Sequence, residues 1–193
     1  MRLQRLSFEI REGKRELPIY GRELHRLLLA HQRETELNQQ LKAHGLFLKT
    51  SGAAGKRSVG AIQHQFDWLW RQRNRIHVPK LYCSLEIRTR PGDTPKFGYL
   101  LEYVDMMALS FPGASVRIFP FKEEILDQLS HIARKAEPHG RLIDHAMITA
   151  SNEVMLISPA CYYTPERRAE FDKIDLRALT GLVRNTKQPA ALV

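Results

Sequence analysis

The sequence has few of the residues on which metal sites and disulfide frameworks depend. Its 193 residues include two cysteines, Cys83 and Cys161, and neither belongs to a Cys-x-x-Cys pair. This spacing gives no support to a zinc site or a disulfide scaffold and favours a reducing cytoplasm. No apolar run approaches the roughly 20 residues of a membrane span, and no signal-peptide or lipidation pattern is present. We therefore expect no membrane partner.

The motifs that usually carry catalysis are also missing. No two of the eight histidines have the i, i+4 spacing with a carboxylate base that zinc hydrolases show, and no serine lies on a strand-to-helix elbow. The glycine-rich stretch 50–58 does not have P-loop spacing, because Thr50 and Arg57 occupy positions where that loop needs glycine and Ser or Thr. We predict a protein that is not an enzyme and that uses no cofactor and no metal.

Negative charge is scarce in the first 80 residues. The chain carries a formal net charge of +9, and residues 1–80 hold 16 of its 30 Lys and Arg but only 7 of its 21 Asp and Glu. The segment 42–80 is the densest part, with eight cations and a single acid, Asp67. Such a one-sided distribution is typical of a protein with a polyanion partner, most often a nucleic acid.

Residues 115–150 have the pattern of one strand and two helices. Apolar and polar residues alternate over 115–119, apolar residues recur at helical spacing over 122–136, and a shorter amphipathic pattern covers 141–150. This order resembles the ribbon-helix-helix DNA-binding motif, in which two copies pair their strands into a ribbon that enters the major groove. An ordinary core segment with the same element order is the alternative interpretation.

The resemblance implies a set of DNA-binding residues. Ser115 and Arg117 fall at the positions that face the groove and read bases. The free backbone amides at the start of a second helix can hold a phosphate, so the implied phosphate contacts are Lys122, Gly140 and Arg141. Because a lone exposed strand needs a partner strand, the resemblance also implies a homodimer.

A second strand competes for the role of the ribbon. Residues 81–90 show the clearest alternation after 115–119 and end at a Pro-Gly turn. If this strand is the ribbon, the base contacts are Arg88 and Arg90.

The basic half of the chain supplies further candidate phosphate contacts. A helix predicted over 59–75, with Ser58 as its N-cap, interleaves Trp68 and Trp70 with arginines, and a basic glycine-rich loop precedes it. Cations interleaved with aromatic rings suit phosphate contact and base stacking, although cations that merely offset a helix dipole are the alternative. The predicted contacts to the DNA backbone are Lys56, Arg57, Arg71, Arg73 and Arg75.

The expected fold class is α+β, a mostly helical domain with short strands. Outside the central stretch the patterns predict strands over 3–10, 81–90 and 154–157, and helices over 21–43, 59–75, 97–109 and 164–184. The expected division is a basic extension over 1–110, the DNA-binding unit over 111–150, and a C-terminal strand, helix and tail over 151–193.

Three further features resemble the AcaB-type regulators of conjugative plasmids and integrating elements. They are the chain length, the segment Phe-Gly-Tyr-Leu-Leu-Glu-Tyr-Val-Asp at 97–105, and Asp-Leu-Arg-Ala-Leu-Thr-Gly at 175–181. The resemblance implies a bacterial cytoplasmic, nucleoid-associated activator of conjugative-transfer genes that binds double-stranded DNA sequence-specifically. Two alternatives stay open: an RNA-binding protein, which should carry outward aromatics on a sheet, and a structural or adaptor component of a transfer apparatus.

Overall fold

The computed structural model describes the chain over 7–10, 17–19, 21–30, 34–51, 59–88, 95–136, 146–157 and 176–187. It divides into two compact units. The first, here called the sheet unit, comprises residues 1–67 and 80–103. The second, the helical unit, comprises residues 68–79 and 104–193. The class is α+β, which confirms that part of the expected fold.

The sheet unit is built on four antiparallel strands. Its elements in chain order are β1 Ser7–Ile10, α1 Gly21–Ala30, α2 Glu34–Lys42, β2 Leu46–Thr50, α3 Val59–Gln72, β3 Leu81–Arg88 and β4 Lys96–Glu102. The strand order is β1-β3-β4-β2, so β3 and β4 form the centre of the sheet. Helix α3 belongs to this unit as far as Asp67.

Both faces of this sheet are covered. On one face Cys83, Leu85 and Leu100 pack in a core with leucines of α1 and α2. On the other face α3 lies against the strands, where Phe66 meets Phe97 edge-on at 6.1 Å between ring centroids. The buried Tyr99 hydroxyl donates a hydrogen bond of 3.2 Å to Gln65 Oε1 on the same helix. A strand buried on both faces reads as a nearly continuous apolar run, which is what 97–101 shows.

An asparagine closes one open edge of the sheet. Strand β2 lies at an edge, where the backbone groups of Leu48 point away from β4. Asn38 on α2 meets them with both ends of its amide, because its Oδ1 accepts from Leu48 N at 2.7 Å and its Nδ2 donates to Leu48 O at 2.9 Å. Glu34 on the same helix accepts from the Thr50 hydroxyl at 3.0 Å. Helix α2 thus occupies donors and acceptors that could otherwise template pairing with another chain.

The helical unit contains a small second sheet and short helices. Its elements are β5 Met106–Ala108, α4 Ser115–Ile118, α5 Lys122–Lys135, β6 Ala146–Thr149, β7 Val154–Leu156 and α6 Leu176–Arg184, with 3-10 turns at Pro112–Ala114 and Phe119–Phe121. The strands are antiparallel in the order β5-β6-β7. Gln128 of α5 fastens this helix to the β6–β7 turn: its Oε1 accepts from Val154 N at 2.6 Å and its Nε2 donates to Asn152 O at 3.3 Å.

The strand expected over 115–119 is a helix, so that prediction is wrong. Ser115 to Ile118 form α4, and Phe119 to Phe121 continue as a 3-10 turn. Five alternating residues also fit helical spacing, and the burial decides between the two: Ala114 and Ile118, four positions apart, are fully buried while Val116 is exposed. Pro120 is tolerated because it lies in the first turn, where its missing N–H is not needed.

The second helix expected over 141–150 is also wrong where the structure describes it. Residues 146–149 form β6, the central strand of the small sheet. The order of strand, helix and helix that defines a ribbon-helix-helix unit is therefore replaced by helix, helix and strand. Tertiary pairing with β5 and β7 overrides a helical pattern that rested on only four apolar residues.

The competing ribbon strand is not free to pair with another chain. The strand expected over 81–90 is confirmed as β3 over Leu81–Arg88, but it pairs with β1 over Leu85–Arg88 on one edge and with β4 over Leu81–Ile87 on the other. A ribbon that enters a groove needs an open edge for its twin, and β3 has none over these paired residues.

The remaining helices and strands agree with the sequence patterns in part. Helices over 59–75 and 122–136 and the strand over 154–157 are confirmed as α3, α5 and β7, whereas the helix expected over 97–109 is instead β4 and β5. The long helix expected over 21–43 is two helices, α1 and α2, with 31–33 outside the described residues. Among the described helices, none has the length and apolar character needed to cross a membrane.

We expect the Asn38 amide to stabilise the sheet unit measurably. Asn38→Ala leaves the Leu48 N–H and carbonyl without their partners, which should lower the free energy of unfolding by about 1–3 kcal/mol. Gln39→Ala, which removes an exposed amide from the same helix, is the matched control. The measurement is urea denaturation followed by circular dichroism. Equal denaturation midpoints for the two variants would contradict the edge-closing role.

Candidate nucleic-acid interface

The end of α3 and the turn after it carry a run of cations without a single acid. Between Trp68 and Lys80 the sequence has three arginines and one lysine and no Asp or Glu. The backbone keeps helical hydrogen bonding past the end of α3, since Arg73 N donates to Leu69 O at 3.0 Å and Ile76 N to Gln72 O at 3.1 Å. Residues 71 and 75 are thus one helical turn apart on a backbone that keeps helical hydrogen bonds.

Arg73 is held against an aromatic ring. Its guanidinium carbon lies 3.9 Å from the centre of the Trp70 ring, and its Nη1 donates to the Trp70 carbonyl oxygen. A guanidinium stacked on indole is a cation–π contact that fixes the plane of the charged group while its other N–H donors remain available to an anion. Arg71 and Arg75 on either side are exposed.

The same turn is anchored to α5 and β7 of the helical unit. His131 Nε2 of α5 lies 3.4 Å from the Arg75 carbonyl oxygen, and Leu156 N of β7 donates to His77 O at 3.1 Å. The His77 ring reaches Glu153 at 4.0 Å. Because the turn touches two other elements of the unit, its backbone at residues 75–77 has a defined position relative to α5 and β7.

The C-terminal end of α5 adds cations beside this turn. Arg134 and Lys135 are exposed and lie three and four residues after His131, which places all three on neighbouring positions of the helix surface. We call these six residues the basic surface: Arg71, Arg73, Arg75, His131, Arg134 and Lys135. Two acids lie one helical turn before its members: Asp67, four residues before Arg71 on α3, and Asp127, four residues before His131 on α5.

The residues that the ribbon interpretation selected are placed differently. Ser115 is half-buried and its hydroxyl donates to the Pro112 carbonyl at 3.0 Å, while Lys122 Nζ donates to the Thr186 carbonyl at 3.3 Å. Arg117 is half-buried, and its Nη1 is buried with no hydrogen-bond acceptor among the described residues. Ser115 and Arg117 therefore do not form an exposed row on an extended strand and cannot read bases as a ribbon would.

Several of the predicted contacts cannot be placed. Lys56, Arg57, Arg90, Gly140 and Arg141 lie outside the described residues, and for Arg88 only the backbone is described. Of the predicted phosphate contacts, the structure brings together Arg71, Arg73 and Arg75. The residues that the sequence interpretation missed are His131, Arg134 and Lys135, whose only signal was a basic last turn that also suits the helix dipole.

The sheet unit offers a cleft with the opposite charge. A cavity of about 240 Å³ opens between α3 and the strands, and its lining includes the carboxylates Asp67 and Glu86 beside Phe66 and Phe97. Two carboxylates disfavour a polyanion there. The sheet faces themselves are covered by helices, so the described strands present no open aromatic platform of the kind that many RNA-binding sheets use.

The described residues hold no group of three or more His, Cys, Asp or Glu side chains that could bind a metal ion. Cys83 is buried in the core of the sheet unit, and this burial raises the pKa of its thiol to about 12. A thiol with that pKa is protonated at neutral pH and is a poor nucleophile.

No model of a known protein family matches this chain, and no curated protein sequence matches it either.

We expect the Cys83 thiol to be unreactive in the folded protein. In a Cys161→Ser variant, a disulfide reagent such as DTNB should release colour at pH 8 only slowly, because burial both shields the thiol and keeps it protonated. Adding 8 M urea should then release one equivalent rapidly. Fast reaction of one equivalent without urea would contradict the burial of this side chain.

Proposed function

We propose that the protein binds double-stranded DNA through the basic surface and acts as a transcriptional regulator without catalytic activity. The observation that carries the proposal is the joining of two basic ends, that of α3 and that of α5, by the contact between His131 and the Arg75 carbonyl oxygen. Cations at the end of one helix are explained by the helix dipole, which they offset. The cations at these two neighbouring helix ends carry more positive charge than the two dipoles require.

The dipole argument can be made quantitative. The C-terminus of a helix carries the equivalent of about half a negative charge, so one cation in the last turn is enough to offset it. The end of α3 and its turn have three arginines, and the end of α5 has Arg134 and Lys135 with His131 alongside. The five Arg and Lys side chains still outnumber the two acids that lie one helical turn before members of the basic surface, Asp67 on α3 and Asp127 on α5, and this surplus supports a polyanion as partner.

Arginine at fixed positions suits a phosphate backbone. The guanidinium group can donate two parallel hydrogen bonds to one phosphate, and the stacking of Arg73 on Trp70 orients it before DNA arrives. Contacts of this type hold the protein on the duplex but do not carry sequence information. That the protein regulates conjugative-transfer genes in the bacterial cytoplasm is proposed only on the basis of the sequence resemblance described above.

The proposal does not use the ribbon. The homodimer expected from paired strands loses its basis because 115–119 is helical and β3 is paired on both sides. Binding through the basic surface works for one protomer, and a second protomer would extend the contacted DNA without being required for it.

Removing two arginines from the basic surface should weaken DNA binding and flatten its salt dependence. Each phosphate contact contributes about 0.9 to the slope of log affinity against log salt, so Arg71→Ala with Arg75→Ala should reduce the slope by about 1.8 per protomer. The measurement is fluorescence anisotropy with labelled duplex at 50–300 mM salt, with single-stranded DNA and duplex RNA as parallel probes.

A charge-matched variant separates the site from general electrostatics. Arg22 and Arg26 are exposed on α1 of the sheet unit, with Arg26 3.9 Å from Glu23, and their change to alanine lowers net charge by the same two units. This control should keep the wild-type slope. Equal slope changes in both double variants would contradict a defined site, and a stronger preference for RNA or single strands would replace duplex DNA as the partner.

A further inference from the structure

The acidic cavity of the sheet unit has one wall from a helix and one from the sheet. Its volume is about 240 Å³, and every described residue that lines it falls within 59–67 or 80–103, so it belongs to this unit alone. We call it the α3 cleft. It is lined by Gln63, Phe66 and Asp67 on α3 and by Ser84, Glu86 and Phe97 on the strands.

The register of β3 and β4 decides which strand side chains face α3. Residues directly opposite each other in an antiparallel pair share one face of the sheet. Ser84 is opposite Tyr99, and Glu86 is opposite Phe97. The Tyr99 hydroxyl bonds to α3, and the Phe97 ring meets an aromatic ring of the same helix. The side chains of Ser84 and Glu86 therefore point towards α3 and into the cleft.

The α3 cleft has a buried floor and an exposed rim. Ser84 and Phe66 are each only 2% exposed, whereas Gln63 and Asp67 are exposed and Glu86 is half-buried. A molecule that enters the cleft passes polar side chains first. It then reaches an aromatic ring and a hydroxyl group that bulk water scarcely touches.

The Ser84 hydroxyl at this floor makes no hydrogen bond with any described residue. A buried polar group is normally paired, because removing it from water without a partner is unfavourable. The hydroxyl oxygen can accept a hydrogen bond from an N–H group. A polar group bound in the cleft would supply the partner that the described residues do not.

The charge of the lining selects a cation. Asp67 and Glu86 are acids, and the described lining includes no Lys, Arg or His. Two carboxylates without a cation beside them attract positive charge and repel an anion. The rings of Phe66 and Phe97 act in the same direction, because the face of an aromatic ring attracts a cation within about 6 Å of its centre.

The apolar part of the lining indicates an organic cation and not a metal ion. Ca²⁺ typically takes about six to eight oxygen ligands, whereas much of the described wall is hydrocarbon from Val59, Pro95 and the two phenylalanines. Such a surface is better covered by an apolar group than by water. Pockets for drug-sized ligands have volumes of about 300–1,000 Å³. The α3 cleft, at about 240 Å³, suits a smaller molecule.

We propose that the α3 cleft binds a small primary amine in its ammonium form, joined to an apolar group. The ammonium donates to Ser84 Oγ and to the Glu86 carboxylate, which are two positions apart on one face of β3. Asp67 adds attraction from the other wall, and the apolar group lies against Phe66 and Phe97. Glu86 also interacts within the protein, but a carboxylate has several lone-pair sites and can accept from the ligand as well. The site does not depend on DNA binding.

The first test compares three probes of similar shape and different charge. At neutral pH 2-phenylethylamine is a cation, 2-phenylethanol is neutral and phenylacetate is an anion. Each is titrated into the isotope-labelled full-length protein while its backbone amide shifts are followed by NMR. We expect the amine to bind at least about fivefold more tightly than the alcohol, and the anion more weakly than either. The largest shifts should fall within residues 63–67, 84–86 and 95–97.

Removing the charge of Glu86 should abolish the discrimination between amine and alcohol. Glu86→Gln keeps the shape of the side chain, so the affinity for the amine should fall to near that for the alcohol, which should itself change little. Ser84→Ala should weaken the amine about threefold to tenfold. Glu124→Gln removes an exposed acid from α5 and is the charge-matched control, which should keep the full ratio. Circular dichroism checks the folding of each variant.

A second variant keeps the test decisive if Glu86→Gln disturbs the strands. Asp67→Asn is at the exposed rim of the cleft, so it should fold and should lower the ratio of amine to alcohol affinity in part. An unchanged ratio in both acid variants would overturn the proposal. So would equal affinities of amine and alcohol for the wild type, shifts centred outside the cleft, or no binding of the amine at millimolar concentration.

A fourth probe distinguishes a free amine from a lysine of another protein. Nα-acetyl-lysine methylamide carries the same ammonium group on a peptide backbone. The proposal expects it to bind more weakly than 2-phenylethylamine, because the cleft holds a small molecule and has aromatic rings for the phenyl group. Tighter binding of the lysine derivative would assign the cleft to a protein side chain and overturn the free amine as ligand.

Discussion

The pairing of β3 with β4 is the constraint on which the sheet unit depends. The two strands are antiparallel, and their pairing runs from Leu81 opposite Leu101 at one end to Ile87 opposite Lys96 at the other. Each also pairs with one further strand, β3 with β1 and β4 with β2. Because helices cover both faces, most side chains along the pair are buried, and the register cannot slip by one residue without exchanging the two faces. The paired residues of these two central strands therefore leave no unpaired strand edge that could enter a DNA groove.

The helical unit is arranged differently, and the proposed DNA-binding surface belongs to it. Its small sheet has three short strands, and α5 is fastened to the β6–β7 turn by the two ends of the Gln128 amide. The same helix approaches the turn after α3 through His131. One helix therefore has two roles: its buried face stabilises the unit, and its last turn places cations beside those of α3. The basic surface follows from this packing and not from any single motif.

Several elements could be predicted from sequence because their patterns were long. The 14-residue helices α3 and α5 and the eight-residue strand β3 each repeat their apolar period several times. The segment 115–119 has too few residues to separate a period of two from one of 3.6, and the burial of Ala114, outside the segment considered, was needed to decide. The run 97–101 is apolar at every position except Gly98, and such a run fits a buried strand as well as a helix.

The candidate site was predictable only in part, for a related reason. The arginines at 71, 73 and 75 are adjacent in sequence, so local composition was enough to select them. Arg134 and Lys135 are about 60 residues further along, and only the tertiary contact between His131 and the Arg75 carbonyl shows that they belong to the same surface. The two ends of the Asn38 amide on Leu48 are likewise invisible in sequence, because nothing in the pattern of α2 indicates which strand edge lies beside it.

The central claim is that duplex DNA lies on the basic surface. Hydrogen–deuterium exchange with and without a saturating duplex tests it directly, since bound DNA slows the exchange of the backbone amides that it covers. The account predicts slower exchange in peptides covering 70–78 and 130–136, with no change across α1 and α2 of the sheet unit. Slower exchange confined to the sheet unit, or to residues 111–121, would contradict it.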